Sequence, residues 1–360
     1  MTRKMKKQVL ISAVSIFIFI LIAGFWTAES CAAEKLDLKL RLKPGQKYGV
    51  RLITELNRSE TIEDRQEHES FMFNRGIGFD VKQVDANGVA LIKVTFLTLK
   101  IDVIRAGGPH VEYDSTKQSV TDDYSEIPVD EAAGIGESFV IKVTPKGEII
   151  QLKGLEQMHE RIIKKIMKWD EKFLRMVPCA EKETSSISKT DQPAVLEWKD
   201  MSQRSKKRWN EMRSHNTKSN YSEKEIKNML NDMIMAFPNR PLAIGDSWTD
   251  KVKIWGENQI DGTYTLKDAE KGTVTLDLRA KRTPEEKPFS WVNNEGRKVG
   301  FKIVGFCQGT FQIDKASGWL IRSKVNMRFT GQVIEKPGDK QKREPILQEE
   351  VITVEPMEVE

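Results

Sequence analysis

The stretch from Gly309 to Val333 constrains the fold most, because its apolar and polar residues alternate. A period of two is that of a β-strand with one buried face and one solvated face. The preceding segment 314–318 carries Asp, Ser and Gly and has the composition of a turn, so the sequence predicts a hairpin. The apolar face carries Trp319, Ile321, Val325, Met327 and Phe329, and the polar face carries Arg322, Lys324, Asn326 and Arg328.

The same kind of unit recurs in the first half of the chain. Each half contains a glycine turn followed three residues later by an aromatic residue, then two strands around an Asp/Gly turn, then a hairpin whose turn ends in glycine. Because the three matches keep one order, the sequence predicts a duplicated β-sheet whose turn glycines adopt positive φ. The matching ranges are 44–48 with 244–248, 79–94 with 264–278, and 139–152 with 311–324.

The predicted fold class is mainly β (α+β). Two antiparallel halves form either one curved sheet or a sandwich of two packed sheets, and a helical crossover joins them. The first β repeat spans residues 34–153, a helical insert with a polar linker spans 154–240, and the second β repeat spans 241–360. Residues 34–360 are long enough to form one compact unit with a sizeable core.

Three segments of the first repeat carry specific expectations. Along 89–104 the apolar residues occupy even positions up to Phe96 and odd positions from Leu97. Such a change of parity indicates either a β-bulge near these two residues or a central strand buried on both faces. The charged segment 57–70 predicts a solvated hairpin tip or loop, and the alternating segment 37–43 predicts a half-buried strand.

A helical period replaces the strand period after residue 154. Apolar residues from Leu155 to Val177 follow one helical face, and Pro178 ends that helix. A second helix begins at Ser222, which forms a capping box with Glu225, and extends to Pro238. The polar residues 180–220 between them predict an exposed insertion, with 193–214 either a marginal helix or disordered.

The N-terminus has the layout of a secretory signal peptide, residues 1–33. Four basic residues precede an apolar run, 9–26, and small residues follow it, so cleavage is expected after Ala33. The run is also long enough to act as an uncleaved membrane anchor, and Cys31 is placed for lipidation. All three alternatives predict an exported protein, periplasmic or extracellular, that contacts a membrane only through this segment.

Charge argues against a nucleic-acid-binding protein. The whole chain carries a formal charge of +5 from 58 basic and 53 acidic residues. Removing the four basic residues and one acidic residue of the leader leaves 54 and 52, a net charge of +2. Nucleic-acid binders concentrate far more positive charge, so we expect no nucleic-acid partner.

No motif of an enzyme, cofactor site or metal site stands out. The four histidines lack metal-ligand spacing and are expected on the surface or in loops, and no P-loop, dinucleotide or nucleophile-elbow motif is present. The sequence therefore predicts no catalytic, cofactor-binding or metal-binding residue. Cys179 and Cys307 could form a disulfide in an oxidising compartment or remain two separately buried thiols.

The layout resembles a family of uncharacterised secreted bacterial proteins, known only as a domain of unknown function. The resemblance covers most of residues 36–333, and it implies export but no activity, cofactor or functional residue. It rests on Gly45, Tyr48, the run Tyr113-Asp114-Ser115, Gly147, the run Gly245-Asp246-Ser247-Trp248, Tyr264, Asp314 and Gly318.

Two functional hypotheses follow. In the first, the protein is a non-enzymatic scaffold of the cell envelope, and its β-sheet and helices bind another envelope protein. In the second, it carries a lipophilic ligand between the sheet and the helices. A hydrolase is the remaining alternative. The residues expected to line such a cavity are Ile162, Ile166, Met229 and Met233.

Overall fold

Antiparallel strands dominate the computed structural model, which describes residues 35–360 except 63–64, 109, 118–128, 174, 177–195, 198–201, 256–257, 284–288, 293–297, 336–341 and 360. The strands are β1 (Lys47–Ile62), β2 (Arg65–Val84), β3 (Ala90–Ile104), β4 (Val111–Asp114), β5 (Ser138–Val143), β6 (Ile149–Lys153), β7 (Arg175–Met176), β8 (Leu196–Glu197), β9 (Ser247–Trp255), β10 (Asn258–Asp268), β11 (Thr273–Arg282), β12 (Phe289–Val292), β13 (Lys298–Asp314), β14 (Leu320–Glu335) and β15 (Lys342–Pro356). The helices are α1 (Val129–Ala133), α2 (Leu155–Phe173), α3 (Gln203–Asn220) and α4 (Glu223–Asn231).

Thirteen of these strands form one sheet. Its order is β6-β5-β3-β2-β1-β15-β14-β13-β11-β10-β9, with β4 on β3 and β12 on β13, and β7 pairs separately with β8. Each half is a meander of neighbouring strands, and β1 joins the halves by pairing with β15. The mainly β prediction is confirmed, and of its two forms the single sheet is the one observed.

Identical backbone contacts in the two halves support the predicted duplication. The backbone N–H of Gly45 donates to the carbonyl oxygen of Val81 at 2.8 Å, and that of Gly245 donates to Leu266 at 2.7 Å. Both glycines have positive φ, 83° and 92°, as predicted. The two turns precede β1 and β9, which are the first strands of the two meanders. The halves therefore repeat one arrangement of β-strands.

The long strand β3 contains the predicted bulge. Gly76 of β2 pairs with Thr98 and the next residue of β2 pairs with Phe96, so Leu97 is the extra residue. Even positions up to Phe96 are buried, and from Leu99 the odd positions are buried instead. The extra residue therefore reverses the alternation of the strand. As a result, the apolar side chains before and after the bulge lie on the same face of the sheet.

The hairpin of β13 and β14 has the predicted two faces. Trp319, Val325, Met327 and Phe329 are all buried, whereas Arg322, Lys324 and Arg328 are exposed and Asn326 is half-buried. The pairing shifts register between Gln312 and Ile313, so Leu320 is buried and Ile321 is only half-buried. We call the side of the sheet that carries Met327 and Phe329 the inner face.

Residues 37–43 form a connecting segment rather than the predicted strand, and we call them the N-terminal strap. Leu38, Leu40 and Leu42 are buried, so the alternating pattern does mark a half-buried segment. However, the backbone N–H of Leu40 donates to Pro145 in the β5–β6 turn, and that of Arg41 donates to Ser317 in the β13–β14 turn, each at 2.7 Å. The strap thus spans corresponding turns of the two repeats.

Residues 57–70, expected to form a solvated hairpin tip or loop, form the end of the β1–β2 hairpin. The two strands pair through this segment as far as Ile62 and Arg65.

The helices lie on the inner face, where Ala132 and Trp169 pack against the cluster around Ile101 and Tyr113. Of the two alternatives for 193–214, a helix is observed from Gln203 onward, and most side chains of α3 are exposed, as expected for this segment. The helix nevertheless packs on α2, where Trp209 Nε1 donates to Asp170 Oδ2 at 2.8 Å. The second predicted helix, α4, ends at Asn231 instead of reaching Pro238.

None of the described helices is long and apolar enough to cross a membrane. The predicted leader and anchor, residues 1–33, lie outside the described residues.

Candidate functional site

A cavity of about 360 Å³ lies between helix α4 and the inner face of strands β1, β2, β3, β14 and β15. This volume falls within the range of small-molecule sites in proteins, roughly 300–1,000 Å³. Because strands of both repeats contribute to it, the cavity sits where the duplicated halves of the sheet meet. It is the best candidate for a binding site in the described part of the chain.

About half of the residues that line the cavity are apolar. Leu52 and Leu99 contribute from the sheet, and Ile226 and Met229 contribute from α4. The strand residues point inward because of their period of two, and the helix residues share a face because they are three positions apart. These apolar side chains favour a ligand with an apolar body, since its burial removes hydrocarbon surface from water.

Capping and an aromatic contact position α4 over the cavity. Ser222 is the N-cap, as predicted, and its Oγ accepts from the backbone N–H of Glu225 at 3.3 Å. Tyr221 and Ile226 on either side of this cap are both buried, as in a hydrophobic staple. The Tyr221 ring meets Phe96 edge-on at 5.6 Å between centroids, and burial raises the pKa of its hydroxyl. These contacts hold the helix terminus against the bulge in β3.

The four predicted lining residues occupy two different environments. Met229 lines the cavity. Ile162, Ile166 and Met233 are fully buried, with no exposed surface, and are not among the residues that line it. The face of α2 that carries Ile162 and Ile166 is instead packed within the core.

Polar side chains line the cavity from both the sheet and the helices. Arg75 of β2 donates from Nε and an NH2 group to one oxygen of Glu131, at 3.2 and 2.8 Å. Glu225, Asp232 and Glu350 also line the cavity. Gln348 of β15 is only 3 % exposed, and its side-chain oxygen has no hydrogen-bond partner. Buried polar atoms are nearly always hydrogen-bonded in native proteins, so this oxygen is unusual.

A second, smaller cavity of about 110 Å³ adjoins the first beneath the C-terminal end of α4. Asn228, Asp232, Met327 and Ile352 line both cavities. The smaller one extends over the second repeat, towards Tyr264, whose pKa is raised by burial. The end of α4 thus divides the space under the helix into two parts.

A buried polar network links α1, α2 and α3 beside the cavity. Asp170 has no exposed surface, accepts from Trp209, and lies 3.6 Å from a guanidinium nitrogen of Arg213. Asp130 of α1 is also buried and accepts from the side chain of Asn220 at 3.2 Å. Burial raises the pKa of Asp130 even though Arg213 lies nearby. The network explains why a polar segment such as α3 packs stably on α2.

Replacing Asp130 with Asn should stabilise the protein at pH 7. A carboxyl group whose pKa rises on folding stabilises the fold below its unfolded pKa, about 3.9, and loses this contribution as pH rises through the folded pKa. The gain in melting temperature for Asp130→Asn should therefore be largest near neutrality and shrink towards pH 4. Thermal melts across this range test the expectation.

The matched control for that experiment is Asp114→Asn. Hydrogen bonds from the hydroxyl and backbone N–H of Thr116 hold the pKa of Asp114 below its ordinary value. A lowered pKa stabilises the fold above the unfolded pKa, so this variant should lose stability at pH 7. A lower melting temperature for Asp130→Asn at pH 7 would contradict the assignment of a buried, costly carboxylate.

The only described cluster with the donor types of a metal site lies away from the cavity, on the β3–β4 hairpin. His110 Nε2 is 2.8 Å from Asp102 and 3.6 Å from Glu112, and the three sets of ligand atoms lie within 4.8 Å of one another. Cross-strand pairing of Asp102 with Glu112 brings the two carboxylates together. Imidazole and carboxylate donors suit divalent cations, but all three side chains are well exposed to solvent.

The remaining residues singled out in the sequence have structural surroundings. Cys307 is buried, which raises the pKa of its thiol to about 12, and its possible partner Cys179 lies outside the described residues. His159 corrects the expectation of a surface histidine, because it is buried on α2 and its Nε2 lies 2.9 Å from the carbonyl oxygen of Tyr221. Trp248 stacks on Tyr264 at 5.3 Å.

Sequence reasoning missed most of the polar part of the site. Gln348 is not among the predicted site residues, although it lies within β15 (Lys342–Pro356). The signal for its inward orientation is the alternation of Ile346, Gln348 and Glu350 with outward-facing residues. Arg75 is not among them either, because its pairing with Glu131 depends on the packing of α1 against the sheet.

Comparisons with known proteins identify a family but no activity. No curated protein matches the chain. A solved structure described as "lipid-protein interactions in lipovitellin" is similar over 88 % of this chain and 26 % of that chain, with 7 % sequence identity and a TM-score of 0.39. A protein family matches residues 87–186 and 195–320, which together make up more than half of the sequence. The chain therefore belongs to the family of unknown function DUF6263.

Proposed function

We propose that the protein is a binding protein of the cell envelope that holds a small lipophilic ligand in the cavity under α4. The observation that carries this proposal is the cavity itself, which has a volume of about 360 Å³ and a wall that combines apolar side chains with polar and charged ones. Small-molecule sites of this size also combine apolar surface with polar groups that fix the orientation of the ligand.

Two further features support binding within the molecule over display of the helices to a partner. Helices α2 and α3 pack on each other and present buried polar groups such as Asp170 to the interior. The large exposed apolar side chains among the described residues are Ile104, Ile150, Met212, Ile244 and Phe306, and no two of them share a strand or helix. A docking surface of the envelope-scaffold kind would instead concentrate apolar side chains in one exposed patch.

The place of action is proposed from the N-terminus. Basic residues followed by the apolar run 9–26 and small residues are typical of an export signal. We therefore place the ligand-binding part of the chain outside the cytoplasm.

Blocking the cavity should abolish ligand binding. Thr54 of β1 lines the cavity, so the indole of Thr54→Trp should fill part of it and weaken binding of N-phenyl-1-naphthylamine, a neutral apolar dye, at least tenfold. Fluorescence titration of the dye measures this affinity.

The control is Thr353→Trp. Thr353 lies on β15 at an odd position, on the opposite face from Gln348 and Val354, and is half-buried like Thr54. This variant should bind the dye as the parent does. The proposal fails if the parent does not bind the dye, or if Thr54→Trp, shown to be folded by a cooperative thermal melt, binds as tightly as Thr353→Trp.

A further inference from the structure

We propose that the ligand carries an ammonium group, held by the side-chain oxygen of Gln348 and the carboxylate of Glu350. This inference rests on the proposed function, since it names the polar end of a ligand in the same cavity. It is argued from one buried acceptor, one neighbouring carboxylate and the charge of the cavity wall.

The first observation is the acceptor on Gln348. The side chain is 97 % buried and lines the cavity, yet its oxygen has no partner. A buried acceptor without a donor is costly, whereas a ligand N–H group at this position would satisfy it. Arg58 lies opposite Gln348 in register on the adjacent strand, and its NH2 group forms an ion pair with Glu60. Its Nε has no hydrogen-bond partner and does not donate to the Gln348 oxygen.

The second observation is the position of Glu350. It is two residues from Gln348 on β15, so both side chains project from the same face of the strand, about 7 Å apart along it. Both line the cavity, and Met327 lies opposite Glu350 in the pairing. An ammonium group between them could donate to the amide oxygen and the carboxylate together. Hydrogen bonds to a charged acceptor are stronger than those between neutral groups.

The third observation is the sign of the charge around the cavity. Its wall contains four carboxylates, those of Glu131, Glu225, Asp232 and Glu350, and one cationic side chain, that of Arg75. Arg75 is held by Glu131 through two hydrogen bonds. A partly enclosed wall with an excess of carboxylates attracts a cation and repels an anion. The apolar side chains and the four carboxylates of the wall therefore fit an amphiphile with a positively charged head.

The test compares four probes with one ten-carbon chain: decylammonium, decyltrimethylammonium, decanol and decanoate. Each displaces the neutral dye from the parent protein at pH 7, at concentrations too low for micelles. Decylammonium should bind at least tenfold more tightly than decanol, because it supplies both charge and N–H donors. Decyltrimethylammonium, which keeps the charge but has no N–H donor, should fall between them, and decanoate should bind most weakly.

Two variants assign the preference to the named groups. Gln348→Met removes the acceptor and Glu350→Gln removes the charge, and each should reduce the preference for decylammonium over decanol at least fivefold. The readout is the ratio of decylammonium to decanol affinity within each variant, because both residues line the cavity and also contribute to how the decyl chain packs.

The outcomes separate the two proposals. If the dye and decanol bind but decylammonium shows no preference, or if both variants keep the full preference, the ammonium assignment is wrong while the cavity remains a binding site. If neither dye nor decanol binds, the proposed function fails, and the ammonium assignment fails with it.

Discussion

Phe329→Ala should lower the free energy of unfolding by about 3–5 kcal/mol, the loss typical of a buried aromatic side chain. Phe329 is 2 % exposed on the inner face of β14 and lies opposite Gly305 in the neighbouring strand. Truncation removes apolar contacts and leaves a cavity that the paired strands cannot collapse to fill. Urea denaturation of the variant and the parent measures the loss.

The matched control is Arg328→Ala, one residue away on the outer face. Arg328 is exposed and forms an ion pair with Glu349 at 3.3 Å, and exposed pairs contribute little. Its replacement should change the free energy of unfolding by no more than about 0.5 kcal/mol. Similar losses for the two variants, or a larger loss for Arg328→Ala, would contradict the register of β14.

Gly318→Ala should be strongly destabilising, and more so than Gly272→Ala. Both glycines have positive φ, 72° and 81°, where a Cβ costs about 1–2 kcal/mol. Around Gly272 there is open space, whereas a Cβ on Gly318 would collide with the backbone carbonyl of Lys39 in the N-terminal strap. Gly318→Ala therefore has to displace the strap as well as adopt an unfavourable φ.

The comparison of the two glycine variants isolates the contact with the strap. Gly272→Ala should lose about the conformational cost alone, and Gly318→Ala should lose clearly more in the same urea denaturation series. In addition, amide hydrogen exchange at Arg41, whose N–H donates to Ser317, should accelerate only in Gly318→Ala. Equal losses with unchanged exchange would mean that the strap is not held by this turn.

Local patterning predicted the features of the fold that depend on neighbours in the sequence. The bulge at Leu97 could be inferred because the alternation of side chains has a period of two, and one extra residue reverses it. The N-cap at Ser222 and the two faces of β14 likewise depend only on residues that are close in the sequence. The remaining features of the fold depend on contacts between residues that are far apart in the sequence. Helix α3 looked like a polar linker because its packing depends on the contact of Trp209 with Asp170, 39 positions away.

The site could be predicted only in part for a similar reason. The alternation and the helical period show which side chains face inward, and Met229 lies on the wall of the cavity. They do not show where facing side chains leave space, so Ile162, Ile166 and Met233 looked equivalent to Met229 although they fill the core. The unpartnered oxygen of Gln348 could not be anticipated, because it depends on what surrounds a buried amide.

Pairing of the first long strand with the last has a consequence for how the chain reaches this structure. Val50 of β1 lies opposite Pro356 of β15, so the centre of the sheet depends on residues about 300 positions apart. Contacts between distant segments slow folding, because a long loop must close before they form. Each meander can form from local hairpins, but the backbone groups on one edge of β1 stay unpaired until β15 pairs with that strand. During that interval the half-formed protein exposes a strand edge that other chains can pair with, so aggregation should compete with folding at this step.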